Sequence, residues 1–215
     1  MQVLLSGQGL SCERDDRLLF KDLDFKLHCG DVLQVAGPNG TGKTSLLRIL
    51  AGLLPDYDGE LYFQGRAIHD DPDIFRENLL FIGHQPGIKL NLTPEENLRW
   101  YQSLYHPANK EQIFHALAQV KLTGFEDVPC YTLSAGQHRR VALARLFLQG
   151  APLWILDEPF TAIDQAGVKE VEQLIADHAK NGGGVILTTH HNLSLPTELN
   201  VIQLGQRQQS ETEQT

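Results

Sequence analysis

Basic residues, paired cysteines and long apolar runs are all scarce in this chain of 215 residues. Lys and Arg number 18 against 27 Asp and Glu, a formal net charge of -9 at pH 7 with a sequence pI near 5.4. Neutralising the phosphates of a nucleic acid takes a clustered Lys/Arg surface, and the local pair Arg139-Arg140 is too short to supply one. Three cysteines, Cys12, Cys29 and Cys130, leave an odd number with no CxxC or CxxCH, which excludes a disulfide framework, a thioredoxin-like pair and a covalent haem attachment. The first residues lack the basic start and apolar core of a signal peptide. No window approaches the ~20 apolar residues of a membrane span. The expectation is a soluble, reduced chain whose membrane role would need a partner. Its length suits one domain, taken as residues 1–205, with a polar tail at 206–215 that reads as disordered.

What is present is organised around Gly37-Pro38-Asn39-Gly40-Thr41-Gly42-Lys43-Thr44. An apolar run, 32–36, precedes it, and a helical pattern from Ser45 to Ala51 follows. This strand, glycine loop and helix is the context that the pattern G-x-x-x-x-G-K-[ST] requires. Glycines let backbone N–H groups wrap a phosphate, and the helix N-terminus adds partial positive charge. Lys43 would reach the β- and γ-phosphates of a nucleotide, and Thr44 would offer a hydroxyl to Mg²⁺.

Elsewhere the pattern alternates between strand and helix. Leu23, Phe25 and Leu27 alternate with polar residues. Together with the run before the glycine loop and the stretch 60–65, they suggest a small antiparallel sheet beside a nucleotide-binding core. Leu79 to Ile82 reads as a strand that delivers the chain to Gln85. From Thr93, an N-cap followed by Pro94, to about Gln149 the spacing is mostly helical, with Leu98, Tyr101, Leu104 and Tyr105, then Ile113, Leu117 and Val120; this predicts a helical insert at about 86–149. Strands at 153–157 and 184–189 with a helix at 166–180 between them complete an α/β core.

Three further stretches carry chemistry. Leu156-Asp157-Glu158 closes a buried strand with two carboxylates: Asp157 suits Mg²⁺, and Glu158 suits positioning an attacking water. Leu133-Ser134-Ala135-Gly136-Gln137 opens a helix. Ser134 and Gln137 fit a capping box, yet the small Ala135-Gly136 pair also leaves the helix end open to an anion, and the residues alone do not decide between the two. Gln85 and His190-His191 each follow a strand. Either can be a solvated strand end; His190 can also face a γ-phosphate and its water, while too few spaced ligands accompany the pair for a metal site.

In order, 37–44, Gln85, 133–137, 153–158, Thr161 to Asp164 and His190 resemble the ATP-binding subunits of ABC transporters over nearly the whole chain. The resemblance implies a P-loop NTPase core of ABC ATPase type, with a small antiparallel β subdomain and a helical subdomain, that binds ATP and Mg²⁺. It makes Glu158, His190 and Gln85 catalytic. It assigns Gly37, Pro38, Asn39, Gly40, Thr41, Gly42, Lys43, Thr44 and Ser45 to the nucleotide together with Ser134, Gly136 and Gln137 of a second copy. Thr44, Gln85 and Asp157 fall to the metal. Ala135 replaces the usual glycine and His191 a common Asp, and the adenine-stacking aromatic has no evident equivalent; Arg14 falls nearest that position, ahead of Phe20.

A narrower resemblance rests on 12–15, 82–89, 124–127 and 154–164, which are similar to the ATP-binding subunits of bacterial cytochrome c maturation systems, the haem exporter family. It implies integral membrane partners, a peripheral place on the cytoplasmic face of the inner membrane and ATP-driven haem delivery, although nothing in the chain reads as a haem site. The competing readings are the subunit of another ABC transporter, a soluble ABC-type ATPase acting on nucleic acid, and a P-loop kinase. The kinase leaves 133–137 and His190 without a task.

Overall fold

The computed structural model describes residues 2–103, 109–148, 150–196 and 199–205. The expected tail at 206–215, the helical positions Leu104 and Tyr105, and Gln149 lie outside the described residues. In chain order the elements are β1 (Val3–Arg14), β2 (Arg17–His28), β3 (Val32–Ala36), α1 (Lys43–Leu50), β4 (Asp58–Phe63), β5 (Arg66–Ala67), α2 (Pro72–Glu77) and β6 (Leu79–Ile82). There follow α3 (Pro94–Gln102), α4 (Lys110–Gln119), α5 (Ala135–Ala144), β7 (Leu153–Asp157), α6 (Gln165–Lys180), β8 (Gly184–Thr188) and β9 (Leu199–Gln203).

Two sheets form. The antiparallel one runs β2-β1-β4-β5, and the parallel one runs β6-β7-β8-β3-β9. The run 32–36, grouped with the early antiparallel strands on sequence, instead lies inside the parallel sheet as β3, because Val32, Leu33 and Val35 are apolar on both faces and all buried. The antiparallel partner of β2 is β1, whose turn to β2 is Asp15-Asp16 with both residues at positive φ, the geometry of a two-residue hairpin.

Alternation along the parallel strands sorts side chains into two cores. Leu33, Val35, Leu79, Leu153, Ile155 and Ile186 face α1 and the antiparallel sheet. Val32, Leu80, Ile82, Trp154, Leu156, Val185 and Leu187 face α6 and the helices of the insert. Each fully buried Leu or Ile contributes on the order of 1.5–3 kcal/mol, and a one-residue slip of any strand would exchange the two sets.

The helical insert is less continuous than its periodicity implies. Thr93 caps α3 with Pro94 at its first position, as predicted, and Asn109 caps α4 through a second capping box. Residues 120–134 then depart from the helix path, apart from a single 3₁₀ turn at Cys130–Thr132. Asn97, fully buried in α3, ties this stretch to the helix: its side-chain amide donates to Cys130 Sγ as well as to the carbonyls of Lys89 and Thr93, and its oxygen accepts from the Lys89 N–H. Among the described residues no helix is long and apolar enough to cross a membrane.

Candidate functional site

The glycine loop leaves the C-terminal edge of β3 and runs straight into α1. Gly42, the residue before α1, sits at φ 94, in the left-handed region, and a Cβ there would stand 2.9 Å from Leu19 Cβ. Both facts require glycine at this position. Lys43 Nζ donates to the carbonyls of Gly37 (2.7 Å) and Pro38 (3.2 Å), so its ammonium lies over the loop, while Thr41 Oγ1 donates to the Pro38 carbonyl. Pro38, Asn39 and Gly40 are exposed at the rim. A cleft of about 370 Å³ opens here, lined by Arg14, Arg17, Leu19, Gly42, Lys43 and Ser45 among others.

β7 brings the two carboxylates to this loop although it does not neighbour β3, since β8 stands between them in the sheet. The gap is closed by α1, whose Thr44 Oγ1 donates to Asp157 Oδ2 at 3.0 Å. Asp157 is almost fully buried, and its second oxygen accepts from Thr188 Oγ1 at 2.6 Å. A hydroxyl and a carboxylate oxygen thus converge beside the phosphate loop, the hard oxygen donors that Mg²⁺ prefers. Among the described residues no cluster of three or more His, Cys, Asp or Glu could hold a metal.

Glu158 follows at φ 51, a left-handed conformation that costs a non-glycine residue about 1–2 kcal/mol. Its N–H donates to Thr188 Oγ1 at 3.0 Å and also lies 3.2 Å from the Thr188 carbonyl. This turn aims the carboxylate along β8 toward His190, whose Nε2 lies 3.5 Å from Glu158 Oε1. His190 is exposed and the Glu158 side chain mostly buried. Glu158, His190, Asp157 and Thr44 therefore form one contiguous group, as the motifs suggest. Gln85 is exposed three residues beyond the end of β6.

Ser134 satisfies the capping-box reading: its Oγ accepts from the Gln137 N–H, and Gln137 Oε1 accepts from the Ser134 N–H. Ser134 and Ala135 are nevertheless exposed. Among the described residues, none of 133–137 lines the cleft over Lys43. Gly136 has a packing task within the chain, because a Cβ there would come 2.7 Å from the Ala162 carbonyl.

Two features escape a reading of motifs. Arg139, one turn into α5, is 2% exposed and donates to the carbonyls of Gly83, Asp157, Glu158 and Pro159. Burial pushes its guanidinium down from the usual Arg value, and the Asp157 and Glu158 charges oppose that. The signal was a charged residue in phase with the buried residues Ala142 and Leu143. His191, unexplained by sequence, reaches the largely buried Glu172 of α6 at 3.5 Å and packs against Phe160. Arg14 does line the cleft, whereas Phe20 is buried and has no free face for a base.

The ABC transporter family matches residues 20–161. A cytochrome c biogenesis ATP-binding export protein, CcmA, of Pseudomonas fluorescens is 55% identical over 203 residues, 94% of this chain and 96% of its own length. The protein of the same name from Pseudomonas putida is 55% identical over 207 residues, 96% and 99% of the two lengths. Among solved structures, a putative ABC transporter ATP-binding protein from Pyrococcus furiosus superposes with a TM-score of 0.79 at 28% identity, covering 93% of this chain and 96% of that one.

Proposed function

The chain belongs to the ABC transporter family, as an ATP-binding and ATP-hydrolysing component, and from that premise we propose that it drives the haem-delivery step of cytochrome c maturation. The observation that carries the chemistry is the convergence of Thr44, Asp157, Glu158 and His190 at the head of α1. ATP would lie with its β- and γ-phosphates on the loop 37–44, countered by Lys43 and the helix N-terminus. Thr44 and Asp157 would hold Mg²⁺, with Gln85 reaching it from its loop. When bound, that ion neutralises charge developing on the phosphate oxygens.

Glu158 accepts a hydrogen bond from the attacking water, and His190, 3.5 Å from the Glu158 carboxylate, faces the γ-phosphate side. Phosphoryl transfer depends mostly on placement and charge, so a carboxylate fixed by its own backbone turn is the group such a step needs. The helix end at Ser134, Gly136 and Gln137, exposed at Ser134 and lining no part of its own chain's cleft, would close over the nucleotide of a second copy. ATP then joins two chains head to tail. Integral membrane subunits would hold the pair at the cytoplasmic face of the inner membrane as peripheral proteins, and haem would be handled by those partners.

The 55% identity to cytochrome c biogenesis ATP-binding export proteins over nearly the full length of both chains supports this biological role. Deleting the gene should remove c-type cytochromes and leave b-type cytochromes, whose haem needs no covalent attachment. A Glu158→Gln copy should fail to restore them. A haem-stained gel of membrane and periplasmic proteins checks both; c-type bands at normal intensity in the deletion strain would refute the maturation role and leave the ATPase assignment standing.

A further inference from the structure

We propose that Arg139 is a positioning residue: it holds Glu158 in its reactive orientation and makes that orientation depend on where the helix headed by Ser134 sits. The inference rests on the reading of Glu158 as the group that orients the attacking water. Arg139 lies in α5, five residues beyond Ser134, and is 2% exposed. Its Nη1 donates to Gly83 O at 2.9 Å, its Nη2 to Asp157 O at 2.8 Å and Glu158 O at 2.6 Å, and its Nε to Pro159 O at 3.3 Å. One planar cation thus spans three segments: α5, the exit of β6 just before Gln85, and the turn that carries Glu158.

That turn is held from both sides. The Glu158 N–H is fixed by Thr188 of β8, and the carbonyls before, at and after Glu158 are fixed by Arg139. Glu158 has a positive φ, so without these bonds its backbone would relax toward the ordinary regions and swing the carboxylate away from His190. A buried cation that only filled space would need far fewer acceptors. Here the fork geometry of a guanidinium is matched to four carbonyls, which an ammonium can meet only in part.

Because the same side chain is anchored in α5, a shift of the Ser134 helix against the core must carry the Glu158 turn with it or break these bonds. Engagement of the helix end by a nucleotide on the second copy would therefore set the geometry of Glu158 in the first. The carbonyl of Gly83 puts the entry to the Gln85 loop on the same joint.

The test uses the full-length chain, with steady-state hydrolysis and ATP titration measured separately. Arg139→Lys keeps the charge and loses the fork; it should lower kcat about 10- to 100-fold while KM and ATP affinity change less than about twofold, the signature of lost positioning. Arg139→Met should lose at least as much; because it strands four carbonyls that are buried or part-buried and can fail to fold, the Lys variant carries the decision. In a Glu158→Gln background, Arg139→Lys should change the residual turnover by less than about twofold, since the group it positions is already gone. Wild-type kcat in a folded Arg139→Lys chain, or the same fold loss in both backgrounds, would overturn the inference alone. Normal turnover by Glu158→Gln itself would overturn the reading of Glu158 and the inference with it.

Discussion

At the scale of single residues, the site keeps its geometry because unfavourable local states are held by specific partners. Asp157 is a buried carboxylate, and it is stable there because Thr44 and Thr188 each donate to one of its oxygens. His178 is the opposite case. Its ring stacks on Trp154 with centroids 3.7 Å apart and planes 8° from parallel, and its Nε2–H donates to the Pro152 carbonyl. Burial pushes its pKa down to about 4 from 6.5. Between those pH values the unfolded chain binds a proton that the folded chain does not, so stability is fully present above pH 6.5 and declines as the pH falls toward 4. His178→Phe keeps an aromatic ring on Trp154 without a titrating group. Thermal midpoints at pH 7 and pH 5 should therefore fall less in His178→Phe than in the wild type; equal falls would show that His178 is not the group responsible. Motif residues such as Lys43, Thr44 and Glu158 were legible in the sequence because their chemistry is local to a strand or helix end. Arg139 and His191 were not, because their partners, from Gly83 to Glu172, lie 18 or more residues away and become neighbours only through the sheet.

At the scale of elements, the helix α5 serves two faces. Its exposed N-terminus carries Ser134 and Ala135, while Gly136 packs directly against the loop that follows Glu158, with Ala162 at φ 63 presenting its carbonyl. Any side chain at 136 must push the helix and the 160–164 loop apart. Gly136→Val should lower stability by about 1–3 kcal/mol, as overpacking against a fixed carbonyl does, and slow hydrolysis; urea unfolding with a parallel turnover assay measures both. Ala135→Gly, at the exposed neighbouring position, should stay within about 0.5 kcal/mol of the wild type, which would make the Ala at that position a tolerated change. Strands and helices with strong periodicity, β6, β7, β8 and α6, emerged from sequence nearly as they fold. β1 escaped because its Gly7, Gly9 and polar residues break alternation, and register shifts in its pairing with β2 show why. β9 and α2 are too short or too polar to stand above the background of turns, and the break at 120–134 is held by Asn97 and Cys130, contacts that no periodicity encodes.

At the scale of the whole molecule, the parallel sheet divides two cores and presents the carboxylates, the glycine loop and His190 along the C-terminal ends of its strands, where open α/β sheets bind their ligands. Under the proposed function, that arrangement would supply the loop, the residues for Mg²⁺ and the water-positioning group from one chain. The cleft over Lys43 is open, and none of residues 133–137 lines it. The central claim is therefore that each complete nucleotide site takes the loop of one copy and the Ser134 helix end of another. The most direct measurement uses a mixed dimer, purified through two different tags, of a Lys43→Ala chain with a Ser134→Arg chain. Lys43→Ala removes the cation over the loop, and Ser134→Arg fills the helix end with bulk. If the sites are shared, one site carries both lesions and the other neither, and the heterodimer should bind ATP at one site per dimer while either homodimer binds at none. If loop and helix end serve the same chain, every site in the mixture carries a lesion, and failure of the heterodimer to bind any ATP would contradict the account.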